Sequence, residues 1–151
     1  MSNLVENKKI WLNYEVLEEY EAGIELFGGE VKTIKSHHGS LEGSRVLVRG
    51  GEVFLVGVNI PPYQVNNTSE AYEPDRTRRL LLKQKEILEL SSRADEKGLT
   101  IVPISMYNKG RLIKVKIAIV RGKKKFDKRE SLKKKEAKRD VARDLKSSLT
   151  R

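Results

Sequence analysis

The side chains that could do covalent or acid–base chemistry in this chain are few. His37 and His38 are its two histidines, and it has no cysteine. Adjacent residues diverge on a helix or strand, and neither histidine takes part in a His-x-x-x-His or Glu-x-x-His spacing that would hold a metal. Glu18, Glu19 and Glu21 could serve as paired carboxylates if their surroundings drove their pKa values apart. Nothing near them in sequence does so, and a wet strand face is the simpler reading. The glycine pairs 28–29 and 50–51 lack the Lys-Ser/Thr, or the third glycine, of a phosphate loop, so they read as turns.

The cations carry a clearer message. Arg121-Gly-Lys-Lys-Lys-Phe-Asp-Lys-Arg129 holds six of them in nine residues, with Phe126 as the one aromatic, placed to stack on a base. Arg76, Arg78 and Arg79 crowd what reads as the first turn of a helix, where the helix dipole disfavours positive charge, so an anion is expected to compensate them. Lys114 and Lys116 alternate with apolar residues and point the same way off a strand.

Those groups need a scaffold, and the 151-residue length allows one domain with an appendage. The net charge is +10, from 31 Lys/Arg against 21 Asp/Glu. Residues 121–151 carry 14 cations against 5 anions, while residues 1–120 carry 17 against 16. A near-neutral body of residues 1–120 with a basic tail of residues 121–151 calls for a polyanion, most commonly nucleic acid. The absence of cysteine removes disulfides and thiolate chemistry. No apolar run approaches the roughly 18 residues of a membrane span, and the N-terminus lacks a signal-peptide pattern, so the expected location is cytoplasmic.

Within the body, residues 11–26 alternate imperfectly and suggest two strands joined through Ala22-Gly23. From Glu30 to Lys35 the period changes: a short helix bounded by Gly28-Gly29 and Gly39 would bury Val31 and Ile34 and show Lys32 and Lys35 as a ridge. Two β-branched runs, 45–49 and 52–58, flank Gly50-Gly51 as a hairpin. Asp75 as N-cap predicts a helix from Arg76 to Lys97, stopped by Gly98, with Ser91-Ser92 as its weak point. A second hairpin, 101–107 and 111–120, turns at Asn108-Lys109-Gly110 and buries Ile113, Val115, Ile117 and Ile119. This pattern fits a mainly β fold: a small, partly open antiparallel barrel of the oligonucleotide-binding type with short helices, or else a flat α+β sandwich. The tail is rich in helix formers but poor in core residues, which predicts disorder when free and helix against a phosphate-rich surface.

The motifs Asn7-Lys8-Lys9, Tyr20-Glu-Ala-Gly-Ile24, Gly29-Glu-Val-Lys-Thr-Ile-Lys35, Val46-Leu-Val-Arg-Gly-Gly-Glu-Val-Phe-Leu55, Arg76-Thr-Arg-Arg-Leu-Leu-Leu82, Lys114-Val-Lys-Ile117 and Gly122-Lys-Lys-Lys-Phe-Asp-Lys-Arg129 are individually short but specific in order and spacing. Together they resemble the SsrA-binding protein family, also called small protein B or SmpB. The resemblance implies an oligonucleotide-binding-type barrel that binds the tRNA-like domain of transfer-messenger RNA (tmRNA). It also implies a tail that enters the decoding centre and empty mRNA channel of a stalled ribosome, so that the protein stands in for a missing anticodon arm. Elongation factor Tu would join indirectly, through the charged RNA. No cofactor, metal or catalysis is implied.

By the same resemblance, Asn7, Glu21, Leu81 and Lys114 hold the RNA, with Lys8, Lys32, Lys35, Arg76, Arg78 and Arg79 in support, and Gly122, Lys123, Lys124, Phe126, Asp127, Lys128 and Arg129 serve the ribosome. Phe126 stands where the family commonly has His, keeping the stacking face and losing the ring N–H. Thr33 stands for the usual Ser and keeps the hydroxyl. A general oligonucleotide-binding or ribosomal protein with a basic extension is the competing reading, and a small nuclease would need a carboxylate or histidine cluster.

Overall fold

Alternation of Ile113, Val115, Ile117 and Ile119 with more polar neighbours makes the last hairpin a pair of long strands, and the rest of the sheet is laid against it. The computed structural model describes residues 3–64 and 71–123. In chain order the elements are β1 (Asn3–Glu6), α1 (Ile10–Asn13), β2 (Tyr14–Ile24), α2 (Gly28–Lys35), β3 (Arg45–Arg49), β4 (Glu52–Val56), β5 (Arg78–Leu81), α3 (Gln84–Ala94), β6 (Leu99–Lys109) and β7 (Leu112–Gly122). The strands of the described residues form one antiparallel sheet in the order β1-β6-β7-β2-β5-β4-β3. β3 lies alongside β6 without joining its ladder, and α3 packs on both, so the sheet curls into the partly open barrel of the oligonucleotide-binding type and is not a flat sandwich.

The barrel interior is filled by Tyr20, Ala22, Ile34, Leu55, Leu80, Leu90, Met106, Val115, Ile117 and Ile119, among others. Each such Leu or Ile removed from water contributes about 1.5–3 kcal/mol, which is what holds strands far apart in sequence in one ladder. A second, smaller cluster lies on the outer side of the sheet, where Ile10 of α1 covers Val102, Ile104, Ala118 and Val120. Half of the outer face of β6 and β7 is therefore closed by α1, and the half bearing Lys114 and Lys116 is left open.

Three elements differ from the sequence reading. Residues 14–24 form one continuous strand rather than two, because a bulge between Val16 and Glu18 shifts the period and hides the alternation. The helix expected over 76–97 is confined to Gln84–Ala94; it runs through Ser91-Ser92 unbroken, and Arg78–Leu81 is a strand paired with β4 and β2. The pair Gly28-Gly29 is the first turn of α2 itself. There Glu30 reaches back to accept the Phe27 N–H at 2.8 Å, which supplies the cap that the glycines cannot. The sheet also runs past residue 120, since Gly122 pairs with Tyr14.

Candidate nucleic-acid interface

The period of two along a strand separates the outward side of β2 from the core side. Tyr20 and Ala22 are buried in the barrel, which turns Glu19, Glu21 and Gly23 outward. The register then builds a row across five strands: Leu81 of β5 is opposite Gly23, Gly23 opposite Lys114 of β7, Lys114 opposite Tyr107 of β6, and Tyr107 opposite Asn3 of β1. One step along, Glu21 stands opposite Lys116 and Lys116 opposite Ser105. Gly23 is needed for close approach here. A Cβ on it would sit 3.3 Å from the Leu81 Cβ, tighter than side chains normally pack, so only glycine leaves Leu81 undisturbed beside it. Leu81 is 47% exposed, an apolar contact offered to a partner.

Glu21 is the fixed point of this face. Its Oε2 accepts from the Tyr107 hydroxyl at 2.5 Å and its Oε1 from Lys109 Nζ at 2.8 Å. The Lys109 bond first, the Tyr107 bond next, and the attraction of Lys109 and Lys114 hold its carboxyl below the ordinary carboxylate range. Burial, then the bond to Glu21, pushes the Tyr107 hydroxyl well up, so it stays a donor near neutral pH. A carboxylate pinned in this way can accept from base amino groups or ribose hydroxyls, while Lys114 supplies positive charge for phosphate. Tyr107 and Lys109 are the partners of Glu21 that the sequence reading missed; the usable signal is a tyrosine on the Lys114 side of the hairpin, placed opposite it by the tight turn.

Glu21, Leu81 and Lys114 thus come together, and the other expected contacts do not all join them. Arg78 is fully buried: it donates to Glu30 Oε2 at 2.8 and 2.5 Å, to the Val58 carbonyl at 2.8 Å, to the Pro74 carbonyl at 2.9 Å and to the Arg76 carbonyl at 3.0 Å. It has no surface to offer an RNA, which corrects the reading of it as a supporting contact. The expected compensating anion exists, but it is Glu30 inside the fold. Arg76 shares that carboxylate and stacks on the Phe27 ring at 3.9 Å from its centroid. Arg79, on the other side of β5, is exposed between Glu52 at 3.2 Å and Glu25 at 3.9 Å.

Asn7 is buried, and its amide donates to the Leu41 and Pro103 carbonyls at 3.2 and 3.3 Å, which ties the β1–α1 turn to β6. Lys8 is exposed at the same turn. Lys32 and Lys35 are exposed on α2, as the helical spacing predicted, with Lys32 Nζ 5.8 Å from the Tyr63 ring. Thr33 turns its hydroxyl into the fold, 3.0 Å from both the Gly29 and Pro61 carbonyls. At the end of β7, the Lys123 N–H donates to the Asn13 carbonyl and its Nζ to the Trp11 carbonyl, both at 2.9 Å. Lys124, Phe126, Asp127, Lys128 and Arg129 lie outside the described residues.

The family model for "SmpB protein" matches residues 4–147. The SsrA-binding protein of Thermosipho africanus is 46% identical over 147 residues, covering 97% of this chain and 98% of its own. That of Gloeobacter violaceus is 44% identical over 142 residues, covering 94% and 93%. A chain in a solved structure described as "tmRNA-SmpB: a journey to the center of the bacterial ribosome" superposes with a TM-score of 0.67 at 36% identity, over 84% of this chain and 92% of that one.

Proposed function

The chain belongs to the SmpB protein family, and on that footing we propose that it binds the tRNA-like domain of tmRNA and brings it to stalled ribosomes for trans-translation. The observation that carries the RNA-binding half is the face around the five-strand row, where a cation (Lys114) and an exposed apolar side chain (Leu81) flank Gly23 and a pinned acceptor (Glu21) stands one step along. A folded RNA is recognised by shape, ribose hydroxyls and a few exposed bases, and such a mixed-sign face suits it better than a uniformly basic one. Asn7 supports this face by holding the β1–α1 turn. Lys8, Lys32, Lys35, Arg76 and Arg79 add charge at its margins or toward the ribosome.

The basic tail, from Gly122 and Lys123 through Lys124, Phe126, Asp127, Lys128 and Arg129, is proposed to occupy the decoding centre and the empty mRNA channel, with Phe126 stacking on a nucleotide. The protein works in the cytoplasm by binding, and bond formation is left to the ribosome. Elongation factor Tu meets it through the charged RNA. A gel shift with a transcript of the tRNA-like domain tests the assignment: Lys114→Ala should bind about tenfold more weakly or worse, and bulk tRNA should compete poorly. Full-strength binding by that variant overturns the site. Removing residues 124–151 should leave the gel shift in place and abolish tagging.

A further inference from the structure

Trp11 is 53% exposed, on a four-residue helix whose neighbouring Ile10 is buried. The helix is also tied down from outside by Lys123, bonded to the Trp11 and Asn13 carbonyls. The indole is thus an apolar surface held in water on a fixed mount. The two exposed rings of Phe27 and Tyr63 each have a cation beside them, Arg76 and Lys32, whereas among the described residues no cation stands over the Trp11 ring.

The groove beside Trp11 is lined by Glu6, Lys8, Glu19, Ser105 and Lys116. It adjoins the Glu21–Tyr107 groove, for Asn3, Glu19 and Lys116 line both. Its charges balance, with Lys116 Nζ 3.8 Å from Glu19 Oε2 and Glu6 Oε1 accepting from Asn3 Nδ2 at 2.7 Å. A groove of zero net charge is a poor seat for phosphate. Carboxylate and hydroxyl groups around a bare indole suit a nucleobase instead, whose face stacks on the ring while its amino edge meets an acceptor.

We infer that Trp11 is a base-stacking residue that extends the RNA face beyond Glu21 and Lys114, taking an unpaired base of the bound tRNA-like domain. This rests on the reading of the five-strand face as the tmRNA site. Trp11 is the chain's single tryptophan, so its emission reports on this one position. Titrating the full-length protein with a transcript of the tRNA-like domain should quench the emission in step with the gel shift. Trp11→Ala should weaken binding about tenfold to a hundredfold, and Trp11→Phe, which keeps an aromatic face, should stay within about threefold of the parent. Unchanged emission under a complete gel shift overturns the inference and spares the tmRNA reading, as does full-strength binding by a Trp11→Ala protein with an unchanged melting curve. Absence of any gel shift overturns both. The emission measurement needs no substitution, so it stands even where a variant fails to fold.

Discussion

Glu30 and Glu21 are built from nearly the same parts and behave as different devices. Each carboxylate accepts from a tyrosine hydroxyl, Tyr72 for Glu30 and Tyr107 for Glu21, and each faces two cations. Around Glu30 the cations are arginines, and the carboxylate and Arg78 are essentially without water at 1% and 0% exposure. Around Glu21 they are lysines, with the carboxylate 35% and Lys109 55% exposed. Guanidinium forks suit a dry, multiply bonded site, whereas ammonium groups keep their hydration and exchange partners easily. An exposed pair is worth about 0–1 kcal/mol, so it can be traded for a bond to RNA at little loss, while a buried one cannot be opened without stranding a charge. Burial and the choice of arginine or lysine together separate a carboxylate locked into the fold from one left open to a partner.

The largest effect that tests this contrast is on stability. Glu30→Ala should cost about 3–5 kcal/mol, because it leaves two guanidinium groups without their anion, and denaturant unfolding would show it; a loss under about 1 kcal/mol breaks the comparison. Glu21→Ala should do the reverse, changing stability by no more than about 1 kcal/mol while weakening tRNA-like-domain binding about tenfold in a gel shift. Tyr107→Phe removes one of the two bonds that pin Glu21, so a loss of about threefold to fivefold is expected, smaller than that of Glu21→Ala itself.

Acid sharpens the contrast further. Burial pushes the Glu30 carboxyl up, but the bonds from Arg76, Phe27 N–H and Arg78 outweigh it and leave the folded value below the ordinary 4.5. Its contribution is therefore present above about pH 4.5 and lost as pH falls below that toward the folded value. Thermal melts should show Tm falling more steeply there for the parent than for Glu30→Gln. The smallest effect belongs to Arg79→Ala, whose exposed pairs with Glu25 and Glu52 predict a stability change within about 1 kcal/mol.

The last hairpin was legible because its alternation is strong and its turn short. So was the helix over Lys32 and Lys35, where the three-residue spacing of Val31 and Ile34 is uninterrupted. β2 was not, because a bulge breaks a period-two pattern without leaving any mark in composition. The stretch 76–82 misled for a different reason. Three arginines and three leucines in seven residues read as the start of an amphipathic helix, and nothing local says that one arginine must be buried. That requirement comes from Glu30, 48 positions upstream, and only the fold brings the two together. The face bearing Glu21 and Lys114 was singled out by resemblance, but the bonds from Tyr107 and Lys109 to Glu21 depend on strand register across 86 and 88 positions, which no local motif encodes.

The order of strands in the sheet also sets when the protein can become itself. Among the described residues β1 pairs only with β6, and β2 is zipped along most of its length to β7, with Tyr14 opposite Gly122. As the chain is synthesised, its first strands must wait for almost the whole barrel to be made, and such distant pairings place it among the slower-folding small domains. An incomplete copy ending before Leu99 has neither Lys114 nor the strands that would set Glu21 in place. Synthesis interrupted before Leu99 therefore yields an unpaired fragment rather than a half-competent RNA binder.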